Sequence, residues 1–195
     1  SIPVLYTYRY PSELAKYLIP LDVKITWKIN EDGKIEAVIE AIKDKEFPDL
    51  PRFGIRMFLN KKMDEITYFG MGPQESYRDK HQASCHGLFR SKVAQMHEDY
   101  IRPQENGSHY DCDYVELTNG QCGIAAVSKN PFSFNASVYT QEELERVSHN
   151  YELKESDSIV FCMDYAMNGI GSNSCGPDVL DKYRFAEEAF LFLHQ

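Results

Sequence analysis

The chain has 195 residues, 43% of them hydrophobic and 26% charged, which is the composition of a folded globular protein with a substantial core and not of a disordered one. Its net charge of −9 works against binding a polyanion, so nucleic acid is not an expected partner. The longest apolar runs, such as Cys122 to Val127 and Ala189 to Leu193, fall far short of the ~18 residues that read as a membrane span.

In chain order, the first 20 residues carry no clear pattern and lack the basic start and apolar run of a secretory signal. Val23 to Ile29 alternates apolar and polar side chains and runs into Asn30-Glu31-Asp32-Gly33, which predicts a strand entering a hairpin. Alternation resumes from Lys34 to Ile42, with Ile35, Ala37, Ile39 and Ala41 on one face. It breaks at Phe47-Pro48-Asp49-Leu50-Pro51 and returns at Phe53, Ile55 and Met57. A three-stranded meander is the economical reading of this stretch. Further strands are expected over 132–138 and 158–165, again with period two. Between them Thr140-Gln141-Glu142-Glu143 predicts one short helix near residues 140–147. Thr140 would cap the backbone, Glu143 would reach back to it, and Leu144 and Val147 would face inward. The tail from Ala186 to Leu193 is read as a strand. No repeat or linker divides the chain, so residues 1–195 are expected to form a single all-β sandwich domain.

Five cysteines, an odd number spread thinly, argue for reduced thiols and a reducing compartment. His81, Cys85 and His86 lack the fourth ligand and the C-x-x-C spacing of a structural zinc site, so they read as turn or surface residues. Three loops are rich in Gly, Pro, Asn and Glu: Gly70 to Tyr77, Pro103 to Gly107, and Gly169 to Pro177. Their plain reading is shaped turns whose carboxylates and amides satisfy exposed backbone. Glycoside hydrolysis would need two carboxyl groups ~5 to 9.5 Å apart. Glu75, Asp79, Glu105 and Asp164 are the loop or strand-end candidates, and sequence alone brings no two of them together. No nucleotide, metalloprotease or serine-hydrolase motif is present.

Taken in order, these loops resemble the C-terminal domain of glycoside hydrolase family 2 β-galactosidases. The resemblance is carried by Asp32-Gly33 before Pro51-Arg52-Phe53-Gly54, and by Tyr68 to Asp79 with Gly72, Pro73, Glu75 and Tyr77. It continues through Tyr100 with Pro103-Gln104-Glu105-Asn106-Gly107, and through Phe134 to Tyr139 with Asn135, leading to His149. It ends with Gly169-Ile170-Gly171 through Gly176-Pro177. It covers roughly Val23 to Leu193, with 1–22 a weakly matched lead-in. It implies an antiparallel β-supersandwich similar to galactose mutarotase, beginning some strands into the family domain. It also implies that the catalytic glutamates lie in an absent (β/α) barrel, so this chain holds no catalytic residue.

In the family, one loop of this domain reaches the mouth of the barrel, and the matching segment here supplies Asn173, Ser174 and Cys175 to the acceptor side. Cys175 stands where the best-known members place a tryptophan, and a thiol offers a sugar a smaller contact than a ring face. The resemblance further implies no metal or cofactor in this domain, with Mg and Na in other domains of the intact enzyme. It implies the remaining domains and a galactoside as partners, a homo-oligomer when intact, and a bacterial cytoplasmic location. The alternatives weighed are a free-standing aldose 1-epimerase, with Glu75 or Glu105 beside a histidine, and a carbohydrate-binding module using some of the 13 Tyr and 11 Phe.

Overall fold

The computed structural model describes residues 21–45, 47–171 and 178–194, and these form two compact units. The class is all-β: antiparallel sheets with one short α-helix among the described residues.

The first unit joins the two ends of the described chain. Strands β1 (Leu21–Ile29) and β2 (Ile35–Lys43) pair as the expected hairpin, with Ile25 opposite Ile39. Its turn is closed by Asn30 N–H to the Lys34 carbonyl at 2.9 Å and by Lys34 N–H to Asp32 Oδ1 at 3.0 Å. Gly33 supplies the positive φ of +84°. The other neighbour of β2 is the last strand, β9 (Ala189–His194), in a register that sets Ile39 opposite Phe192 and Ala41 opposite Phe190. Ala37, Ile39, Ala41, Leu50, Phe185, Phe190 and Phe192 are all buried, so alternation in β2 and β9 gives this unit its core. Lys24–Glu40 and Lys28–Glu36 pairs, at 2.7 and 3.3 Å, occupy exposed positions on β1 and β2.

The expected meander is therefore corrected. β3 (Arg52–Asn60) is not a ladder partner of β2 and pairs instead with β8 (Ser158–Met167) in the second unit. Pro48 and Pro51 interrupt the backbone ladder between them, and local alternation carries no information on which distant strand completes a sheet.

The second unit is one antiparallel sheet in the order β3, β8, β7 (Gly123–Ser137), β6 (Ser108–Thr118), β4 (Glu65–Gly72) and β5 (Cys85–Lys92). One face is aromatic. Tyr68 lies 4.5 Å from the His109 ring and 5.1 Å from Phe134, with Phe89 at 5.3 Å, and Ile66, Val115, Leu117 and Phe161 are buried. Burying each such side chain stabilises by ~1.5–3 kcal/mol.

Helix α1 spans Gln141–Arg146. As expected, Thr140 Oγ1 accepts the Glu143 N–H at 3.0 Å, and Leu144 and Val147 are buried. Glu143, however, does not reach back to the cap. Its carboxylate accepts from Arg146 at 2.8 and 2.9 Å and from the Lys154 N–H at 2.9 Å.

Candidate functional site

Two arrangements in the second unit gather the polar residues singled out in the sequence. The first is built on Glu75. The chain leaves β4 at Gly72, passes a cis bond to Pro73 and turns so that Glu75 is buried. Its carboxylate accepts from Lys80 Nζ at 2.6 Å, the Gly107 N–H at 2.9 Å, the Tyr77 hydroxyl at 3.3 Å and the Tyr100 hydroxyl. Burial pushes the Glu75 carboxyl up, but the bonds from Lys80, Tyr100 and Gly107 outweigh it and hold the group below its ordinary value.

The neighbouring loop is tied down in the same way. Asn106 Oδ1 accepts from Glu98 N–H at 2.9 Å, and Asn135 Nδ2 donates to the Asn106 carbonyl at 2.5 Å. Gly107 has φ +72°, and a Cβ there would collide with the Met96 carbonyl. His109, also buried, donates from Nδ1 to the Met71 carbonyl at 3.0 Å. Desolvation pushes its pKa down to about 4, so it stays neutral.

These contacts join Gly72, Pro73, Glu75 and Tyr77 to Asn106, Gly107 and Asn135 in one latch between two loops and a strand. Asp79 does the same for a third loop, accepting from Ile170 N–H at 3.1 Å and Gly171 N–H at 2.9 Å. His149 is apart from them. It is exposed, with its ring stacked 5.2 Å from Tyr151 and its N–H donating to Glu152 at 2.9 Å.

The second arrangement is a cleft of about 430 Å³ lined by residues from Arg52 to Arg56 on β3, Cys162 and Asp164 on β8, Glu105 and Gln141. Arg52 is its centre. Nε donates to Asp164 Oδ1 at 3.1 Å, Nη2 bonds Asp164 Oδ2, and Nη1 pairs with Glu105. Burial alone would lower the Arg52 pKa, but the Asp164 carboxylate more than offsets this and holds the guanidinium charged. A Cβ on Gly54 would collide with the Met163 carbonyl and with Asp164, so the bare backbone there lets the carboxylate lie flat against β3.

Of the four carboxyl groups proposed from sequence, the structure thus brings Glu105 and Asp164 to one cleft. They meet across an arginine that neutralises both. Arg52 and Gln141 were singled out only as parts of a loop motif and a helix start, and their convergence with Arg56 and Cys162 had no sequence signal, because these residues come from strands and a helix far apart in the chain. His81 Nδ1 bonds the Tyr77 carbonyl at 3.0 Å and His86 Nε2 the Asp111 carbonyl at 3.1 Å. Among the described residues no group of three His, Cys, Asp or Glu is placed to hold a metal. The four described cysteines are free thiols. Asn173, Ser174 and Cys175, expected on the acceptor side, lie outside the described residues. No helix among the described residues is long and apolar enough to cross a membrane.

Comparison with known proteins adds a family match. The model of the family described as "Beta galactosidase small chain" matches residues 4–193. A β-galactosidase of Actinobacillus pleuropneumoniae is 49% identical over 170 residues, which is 87% of this chain and 16% of that protein. The β-galactosidase of Staphylococcus xylosus is 38% identical over 160 residues, 82% of this chain and 16% of the relative. That of Kluyveromyces lactis is 33% identical over 146 residues, 74% and 14%. The chain spans about one sixth of the length of the curated relatives it matches.

Proposed function

Since this chain belongs to the β-galactosidase small-chain family, we propose that it is a non-catalytic domain of a family 2 β-galactosidase acting on terminal β-D-galactosides such as lactose. The catalytic glutamates belong to a barrel carried elsewhere in the parent protein, against which this domain packs. The observation that carries this reading is the state of the chain's own candidate carboxyls. Glu75 and Asp79 are spent on backbone amides and neighbouring side chains, and Glu105 and Asp164 on Arg52. A general acid needs a proton to give and a nucleophile needs an unpaired carboxylate facing substrate. Glu75 and Asp79 sit in separate contacts of this kind, and Glu105 and Asp164, the two that share a cleft, have Arg52 between them where a catalytic pair would hold substrate. Glu75, with donors on both of its oxygens, does not suit an epimerase base.

Within the parent enzyme, Asn173, Ser174 and Cys175 border the acceptor sugar, and the Mg and Na sites lie in other domains. The intact protein is a cytoplasmic homo-oligomer. The test is complementation, with the chain produced alone, alongside a relative's β-galactosidase truncated before this region, and with both together on a chromogenic galactoside. Activity is expected only in the mixture. Turnover by the chain alone, or no gain on mixing, overturns the reading. In the full enzyme, Cys175→Trp is expected to lower the acceptor KM and raise transglycosylation relative to hydrolysis. An unchanged product ratio would remove the loop from the acceptor side.

A further inference from the structure

The cleft around Arg52 has a charge pattern that selects its ligand. Its formal charges nearly cancel. Arg52 is forked across Asp164 and Glu105, and Arg56 Nη1 donates to Gln141 Oε1 at 3.0 Å and to Glu142 at 2.8 and 3.1 Å. Asp164 is only 2% exposed, so an ionic ligand that competed for Arg52 would leave a carboxylate buried without its partner. What remains unspent is hydrogen-bonding capacity on groups whose charges are already paired. Among the described residues, Nε and Nη2 of Arg56 donate to no other group, and the second oxygen of Glu105 accepts from none. Arg56 and Glu105 both line a space of about 430 Å³, within the ~300–1,000 Å³ of small-molecule sites. The floor is the bare backbone at Gly54, and the lining includes the apolar residues Phe53 and Ile55.

We propose that this cleft binds a neutral polyhydroxylated ring, a free hexose. Adjacent hydroxyls each donate and accept, so one pair can donate a hydrogen bond to Glu105 while accepting hydrogen bonds from Arg56. The C–H face of the ring then covers the apolar lining. No ion pair has to open. The inference stands on the cleft alone and does not depend on the parent enzyme being a β-galactosidase.

The test uses the whole chain, amide-labelled, titrated by NMR with galactose, glucose, galacturonate and galactosamine. Saturable shifts are expected for a neutral hexose at Kd of about 1–10 mM, confined to residues 52–56, 105, 141–142 and 162–164. Arg56→Leu and Glu105→Gln are each expected to weaken binding ~10-fold, the worth of about one hydrogen bond, while Lys61→Ala leaves it unchanged. Arg56 is a surface residue, so its variant keeps the fold and the same spectrum verifies that. Absence of saturable shifts up to about 50 mM overturns the proposal. So do shifts that survive both variants, or galacturonate or galactosamine binding as tightly as the neutral sugars.

Discussion

Glu75 shows what a single buried carboxylate does when every lone pair is used. It ties the turn after β4 to Lys80, to Tyr100 and to the backbone of Gly107. Its pKa is below the ordinary carboxylate value, so the folded state holds a proton less readily than the unfolded chain does. The stability it contributes is complete above the unfolded value near 4.5 and is lost as pH falls through the lower folded value. Glu75→Gln is expected to destabilise by about 2–4 kcal/mol at neutral pH, and to flatten the acid limb below about 4.5, in urea midpoints followed against pH. His109 acts higher on the scale. The folded imidazole titrates at about 4 and the unfolded one near 6.5, so the unfolded chain gains protons first and stability falls as pH drops between those values. That difference corresponds to roughly 3 kcal/mol. His109→Gln is expected to remove that slope, and a slope unchanged in the variant would assign it to another group.

At the scale of the element, alternation placed most strands, while single residues fixed how they end and meet. Helix α1 has six residues, too few to stand alone, so its cap and its buried Leu144 hold it. Thr140→Ala is expected to cost about 1 kcal/mol by thermal or urea unfolding. Gly54 decides the β3–β8 contact. The register shifts between Phe53 and Gly54, and there is no room for a methyl group beside Asp164. Gly54→Ala is expected to destabilise by about 2–4 kcal/mol and to disturb the Arg52 fork, read as lost protection of the arginine Nε proton in NMR. One row of side chains across the second sheet, Leu88, Phe69, Tyr114 and Val127, lies in direct cross-strand register. Leu88, Phe69 and Val127 are 61%, 40% and 41% exposed. No strand was expected over residues 65–72, 85–92 or 108–118, so this partly open row was not legible from periodicity.

At the scale of the whole molecule, the first unit depends on residues separated by almost the full chain. β2 is completed by β9, and Phe185, Phe190 and Phe192 supply most of its aromatic core. Deleting residues 185–195 is expected to remove ~1.5–3 kcal/mol for each of those three side chains and to bare the β2 edge. Amide signals of residues 21–43 should then collapse to unfolded shifts. Retention of their dispersion would mean that the β1–β2 hairpin stands without β9.

The order of loop motifs was legible as far as the family, because Gly, Pro, Asn and Glu at turns answer to local backbone demands that a linear sequence records. The strand at Ala189 to His194 and the Thr140 cap were legible for the same reason: periodicity and capping are properties of neighbours. Only the folded chain decided that β3 belongs with β8 rather than β2. Only the folded chain set Arg52 between Glu105 and Asp164, with Arg56 across the same cleft. Strand partnership and charge neutralisation depend on distances between residues 52, 105 and 164, and those distances are set by the packing of whole sheets, which no stretch of sequence contains.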